Sequence, residues 1–446
     1  MTTFWCELAW LGALDGSIAE GVAVTVEGDR ITDVTIGAQP QSGAHRLAGL
    51  TLPGLANAHS HAFHRALRGR THGETGSFWT WRERMYALAE RLDPDSYRAL
   101  ATATFAEMVL AGFTCVGEFH YLHHGGGGVT YAQPNEMGNV LLDAARAAGI
   151  RITLLDACYL QGGMAPGAGL EPTQTRFSDG DADRWAVRVD GLVDTDTAKI
   201  GAAIHSVRSV DPVSMSTVGQ WSARRGAVLH AHVSEQPAEN EQCEAIYGCT
   251  PIELLDSAGV LGERFTAVHA THLGGDDIGL LHSHGSTCCI CPTTERDLAD
   301  GIGPTAALRL AGVAMTIGSD SHAIIDPFEE TRGIELDERL SSLQRGTHRI
   351  GELLAAATNA GYRSLGWHDG GRIAPGCLAD LTTVALDSPR LAGTDPRHAA
   401  AAVLFAATAA DVRHVVIGGR VVVADGVHQT IEVAAELDRS IKRVWS

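Results

Sequence analysis

Apolar and polar residues alternate in GVAVTVEGDRITDV and HRLAGLTLPG near the start of the chain, with Gly and Asp between the runs. A period of two marks strands with one buried face. The same texture returns near the other end, in GCLADLTTVAL and VRHVVIGGRVVVADG. The long middle differs. Stretches with helical spacing, such as PDSYRALATATFAEMVLAGF and EMGNVLLDAARAAG, alternate with short apolar runs: RITLLDACYL, AVLHAHVSE, FTAVHATHL, STCCICP and VAMTIGSDSH. Strands of a parallel sheet are buried on both faces and are joined by helices, so they read this way. The pattern predicts an α/β chain. A (β/α)8 TIM-like barrel over 54–372 is inserted between two all-β pieces, 1–53 and 373–446. These pair into a small β-sandwich, and the second carries a terminal helix.

Length agrees with this layout, since 446 residues suffice for a large barrel with an appendage. The formal net charge of −19 leaves little to neutralise phosphates, which speaks against nucleic acid and anionic membrane surfaces. An anionic ligand would have to be met by a few arginines inside a pocket. No apolar run approaches the ~18–20 residues of a membrane span. The first residues carry Glu7 and lack a basic segment, so they read as a first strand and not as a secretory leader. The nine cysteines are scattered, as expected of reduced thiols in a cytoplasmic protein. Cys288, Cys289 and Cys291 stand in an apolar run without a second pair at zinc spacing, and read as small strand residues. The glycine run 125–128 reads as a surface loop. The Gly- and Pro-rich stretch 161–177 follows an apparent strand, which would put it on the C-terminal face of the barrel as a candidate lid.

His59 and His61 carry the first chemical signal. Residues i and i+2 of a strand point the same way, so both imidazoles can reach one metal ion. Alone, His-x-His is weak. Further metal-competent residues follow, however: His230 and His232 in VLHAHVSE, His269 in FTAVHATHL and Asp320 in MTIGSDSH. Each stands where a short apolar run gives way to a loop, and in a barrel those ends converge on one face. His232, nearer the loop, is the better ligand of its pair.

The series His-x-His, His, His, Asp resembles the amidohydrolase superfamily over nearly the whole chain. The wording of SFWTWRERMY, EFHYLHH, AAIHSVRSVDP, HATHL and IGSDSH resembles its formiminoglutamate deiminase branch. The resemblance implies one divalent metal held by His59, His61, His232 and Asp320. Zinc is the first choice and iron the second, since imidazole with carboxylate suits both. No lysine ends the strand near Lys199 to bridge a second metal. Deamination at a C=N centre needs hydroxide at carbon, supplied by a metal that lowers the pKa of its water to ~7. It also needs protons at the departing nitrogen. Asp320 and His269 would orient or deprotonate the water, and Glu235, three residues past His232, would carry the proton.

In that branch Arg82, Tyr121, His205 and Arg208 would hold the two carboxylates of a glutamyl substrate, and forked guanidinium groups suit that task. His64 stands where the family often has Gln, which leaves that contact open. His322 is expected to support Asp320. His272, His120, His123 and His124 read as loop or supporting positions. The resemblance implies hydrolysis of N-formimino-L-glutamate in histidine degradation, by a cytoplasmic homodimer. The alternatives are a deaminase of a purine, pyrimidine or guanidino compound, and an inactive binding protein on the same fold.

Overall fold

The computed structural model describes residues 1–72, 76, 78–165 and 167–446. Four strands open the chain: Thr2–Ala9 (β1), Ala19–Glu27 (β2), Arg30–Ile36 (β3) and His45–Pro53 (β4). Eight more follow in the middle: Leu55–Ser60 (β5), Phe113–His120 (β6), Arg151–Cys158 (β7), Ala198–Ser206 (β8), Leu229–Val233 (β9), Phe265–His269 (β10), Thr287–Ile290 (β11) and Ala314–Ile317 (β12). The last four are Leu381–Val384 (β13), Val412–Ile417 (β14), Arg420–Ala424 (β15) and Val427–His428 (β16).

β5 to β12 pair in chain order and in parallel. A bridge between Ser60 and Asp320 joins the first strand to the end of the last, so the sheet is a nearly closed barrel. β5, β6, β7 and β9 are buried at every position, which explains their unbroken apolar runs. The helices between them have clear ends. Pro94–Ala111 starts from Asp93, whose side chain accepts the Ser96 N–H, and stops at Gly112 with φ of 107°.

The terminal strands form one curled sheet in the order β16-β15-β14-β13-β4-β1-β2-β3, so β13 docks on β4 and unites the chain ends. Phe4, Val24, Leu381 and Val416 belong to a small core of its own. A single residue, Gly54, links β4 of this sheet to β5 of the barrel. A side chain there would overlap Thr114, Tyr362 and Asp380. Asp380 also fastens the two parts. Arg151 of β7 donates to it from Nε (2.8 Å) and Nη2 (3.2 Å), and Tyr362 from its hydroxyl (2.7 Å). The last helix, Val433–Trp445, turns back to the barrel, where the Trp445 indole donates to the Ala66 carbonyl. Among the described residues, no helix is long and apolar enough to cross a membrane.

Candidate active site

His59 and His61, from the end of β5, meet His232 from β9 and Asp320 from beyond β12. The Nε2 atoms of His59 and His232 lie 3.0 Å apart, and those of His61 and His232 3.3 Å. Asp320 Oδ1 is 3.3 Å from His59 Nε2 and 3.4 Å from His61 Nε2. The other ring nitrogens explain the arrangement. His61 Nδ1–H donates to the Phe119 carbonyl and His232 Nδ1–H to that of His205, each at 2.9 Å. Their Nε2 atoms therefore carry lone pairs, which repel at this distance unless a cation lies between them. Tetrahedral zinc with bonds of ~2.0–2.1 Å would hold its ligands ~3.3 Å apart, so the donor set fits such an ion. Burial lowers the pKa of His59 and His232 and takes His61 down to about 3, which keeps the imidazoles neutral, the ligating form. Burial opposes ionisation of Asp320, but His59, His269 and His61 hold it well below the usual carboxylate range.

The backbone is strained here. Asp320 (φ 39°), His269 (φ 69°) and Ser234 (φ 51°) occupy left-handed conformations that non-glycine residues seldom adopt. His230, two residues before His232, is not part of the cluster, because its Nε2 bonds the Ser364 carbonyl at 2.9 Å. Lys199 stands at the far end of β8, over the Trp367 ring.

His269 lies beside the cluster. Its Nε2 is 3.7 Å from Glu235 Oε1 and 3.9 Å from Asp320 Oδ2, and its Nδ1 is 3.5 Å from Glu295 Oε1. Burial disfavours its charge, but Glu235, Glu295 and Asp320 outweigh burial and raise its pKa well above the ordinary histidine value. Glu235 also accepts from Arg208 Nη2 at 3.2 Å.

Next to the cluster is a cavity of about 250 Å³, whose lining includes His61, His64, Arg82, Tyr121, His205, Arg208, His232, Glu235 and Asp320. The residues singled out from sequence as substrate contacts thus line one cavity with three of the candidate metal ligands, His61, His232 and Asp320. Arg82 is partly exposed and lies over Trp79 and Tyr86. His64 Nε2 and the Tyr121 hydroxyl share a hydrogen bond of 2.9 Å. His205 Nδ1 is 3.3 Å from the hydroxyls of Ser206 and Ser209. Of the stretch 161–177, Gly162, Gly163 and Phe177 line the cavity, and Pro166 lies outside the described residues. Its last part is anchored: Gln174 donates to the hydroxyls of Tyr86 and Tyr159, and Arg176 to the carbonyls of Ala89, Leu92 and His124.

Several buried acids escaped the sequence reading. Glu118 accepts from Ser60 Oγ (2.6 Å) and Ala62 N (2.7 Å), bracing the turn that carries His61, and burial pushes its pKa up to about 8. Glu295 accepts the Cys291 N–H at 2.8 Å and flanks His269. Glu239 pairs with Arg208. Glu239 and Glu295 have a local signal, the Pro237 and Pro292 that start their helices, whereas Glu118 has none. His322 contacts the hydroxyls of Ser60 (3.1 Å) and Ser319 (3.0 Å), not the Asp320 carboxylate. His120 ends β6 and His123 and His124 stand in the loop after it, and all three are buried. His120 and His123 could meet Asp156 around an ion, but both Asp156 oxygens are already taken by Arg188 and Trp185. Cys288, Cys289 and Cys291 are buried free thiols, and burial keeps Cys291 protonated.

The model of the amidohydrolase family matches residues 50–422. The chain belongs to the amidohydrolase family. It is 34% identical over 428 residues to a formimidoylglutamate deiminase of Pseudomonas aeruginosa, covering 94% of this chain and 92% of that one. It is 30% identical over 397 residues to an 8-oxoguanine deaminase of the same organism, covering 87% and 86%. An amidohydrolase structure from Brucella melitensis superposes with a TM-score of 0.92 at 30% identity over the whole of both chains. The two sequence relatives are a deiminase and a deaminase, and this amidohydrolase is a hydrolase of the deaminase kind.

Proposed function

We propose that the enzyme hydrolyses N-formimino-L-glutamate to N-formyl-L-glutamate and ammonia. The observation that carries this reading is the placement of Arg82 and Arg208 on the wall of the cavity that holds the His/Asp cluster. A substrate with two carboxylates needs both cations, whereas a neutral nucleobase needs neither.

His59, His61, His232 and Asp320 would hold one divalent ion, zinc in the first instance, which when bound supplies an activated water at neutral pH. The chain's own groups do the rest. Asp320 Oδ2 faces His269 and can accept a proton from the attacking water. The His269 nitrogens lie 3.7 Å from Glu235 and 3.5 Å from Glu295, and these acids favour the protonated ring. The resulting imidazolium steadies the negative charge that builds on oxygen in the tetrahedral state. Glu235 lies between His269 and Arg208 and can carry a proton to the imino nitrogen, so that ammonia departs. Arg82, Arg208, Tyr121, His205 and His64 would orient the glutamyl part. On the same reading the enzyme serves histidine degradation in the cytoplasm as a homodimer.

A second reading, a purine deaminase, draws on the aromatic side chains of the cavity, among them Phe78, Trp81, Tyr159 and Phe177, which could stack on a base. Ammonia release from metal-quantified protein separates the two. N-formimino-L-glutamate, N-formimino-L-aspartate, guanine, 8-oxoguanine and cytosine are offered in parallel. Fast release from the glutamate compound alone supports the first reading. Release from a purine alone replaces it with the second.

A further inference from the structure

We infer that Glu239 is a positioning residue for the reaction proposed above, tying the proton-carrying turn to the substrate-binding arginine. The inference rests on that functional reading and adds a residue to it.

Glu239 stands in the first turn of the helix Pro237–Tyr247, whose N-cap is Gln236. A glutamate here can reach back past the helix start. Its Oε1 accepts the Ser234 N–H at 3.0 Å. Ser234 has φ of 51° and directly precedes Glu235, so this bond holds a strained peptide at the residue that would move the proton. The Ser234 carbonyl is held from the other side by the His272 N–H at 2.9 Å.

The second oxygen does other work. Glu239 Oε2 lies 3.3 Å from Arg208 Nε, and the Glu239 side chain is fully buried. Arg208 is also within 3.2 Å of Glu235 through Nη2. Nε also donates to Ser206 Oγ at 3.4 Å, so Nε and Nη2 both face protein groups, with a carboxylate beside each, and Nη1 is left for a ligand. Arg208 lines the cavity while Glu239 does not, so Glu239 acts from behind. Without it the Nε side of the guanidinium would keep only the 3.4 Å contact to Ser206 Oγ, and the group would lose its alignment towards a substrate carboxylate. One buried carboxylate therefore sets the position of both groups.

Glutamine at this position keeps an oxygen for the Ser234 N–H but loses the charge that holds Arg208. Alanine loses both. The test compares wild type, Glu239→Gln and Glu239→Ala on N-formimino-L-glutamate and on two analogues, each with one carboxylate replaced by hydrogen. Metal content and Tm are measured alongside. Glu239→Gln is expected to raise KM for the full substrate at least tenfold, with kcat within about threefold of wild type. That penalty should vanish with the analogue lacking the carboxylate that Arg208 holds. Glu239→Ala should lower kcat as well. In an Arg208→Gln background, Glu239→Gln should have little further effect on KM. If Glu239→Gln does not fold, Glu239→Asp keeps the charge but withdraws it by one methylene, and should raise KM in the same selective way. An unchanged KM in the folded variants, or an equal loss on all three compounds, overturns the inference while the functional reading stands. A wild type inert towards all three overturns the functional reading, and this role with it.

Discussion

The Asp320 N–H donates to the His59 carbonyl at 3.0 Å, while the Asp320 carboxylate lies 3.3 Å from the His59 imidazole. The same two residues that would share a metal ion also close the seam of the barrel between β5 and β12. The backbone contacts fix the distance between the strand ends, and the side chains then have a defined gap to bridge. Asp320→Ala keeps the backbone bond and loses the carboxylate. Bound zinc is expected to fall from about one per chain to below roughly 0.1, with activity abolished and the circular dichroism spectrum retained, because a carboxylate ligand cannot be replaced by a methyl group. Elemental analysis after dialysis checks this.

Glu235→Gln keeps the shape of the side chain and removes the group that takes up and delivers a proton. The expected loss in kcat is roughly 10²–10⁴-fold, the usual worth of a positioned acid or base. Metal content should not change, since the Glu235 contact runs to His269 and Arg208 and not to the ligand cluster. Steady-state kinetics on the metal-quantified variant decides it.

Arg82 and Arg208 should not behave alike. Arg82 touches the site only through the cavity wall, so Arg82→Ala should raise KM for N-formimino-L-glutamate with kcat nearly unchanged. A charged hydrogen bond is worth about 1.5–3 kcal/mol, or roughly 10–150-fold in KM. Arg208→Gln should raise KM by a similar factor and lower kcat too, because Glu235 loses its partner. Equal profiles for the two variants would contradict this division.

Asp179, remote from the site, predicts the acid limb of stability. Burial alone would raise its pKa, but hydrogen bonds from His124 and Arg188 hold it well below the usual carboxylate range. A carboxylate depressed in the folded state stabilises the protein above the unfolded value of about 3.9 and loses that contribution as pH falls through the folded value. Asp179→Asn should therefore unfold at lower denaturant near pH 7. The gap from wild type should narrow as pH drops below about 4. Urea titrations at several pH values measure both.

Much of this architecture was legible along the chain, for identifiable reasons. A parallel barrel strand is buried on both faces, so runs such as RITLLDAC are unbroken and stand out from the alternating strands at the ends. His59 and His61 were legible as a pair because strand geometry fixes where i and i+2 point. The preference for His232 over His230 agrees with the contacts of the two rings, and the reason lies elsewhere in the chain, in the Ser364 carbonyl that engages His230. His322 shows the reverse. Its nearness in sequence to Asp320 suggested support of that residue, and its ring bonds Ser60 and Ser319 instead of the Asp320 carboxylate.

The sequence by itself determined the order of strands and helices, the family and the candidate metal ligands, because these follow from local periodicity, motif wording and residue type. Only the tertiary structure decided what those side chains face. Glu118 meets Ser60, Glu295 meets His269, and Glu239 meets Arg208, each pair drawn from different segments. Buried acids like these leave no periodic trace, since each is a single polar position in a stretch that packs for other reasons. Their ionisation and their partners exist only once closure of the barrel has excluded water and brought the strand ends together.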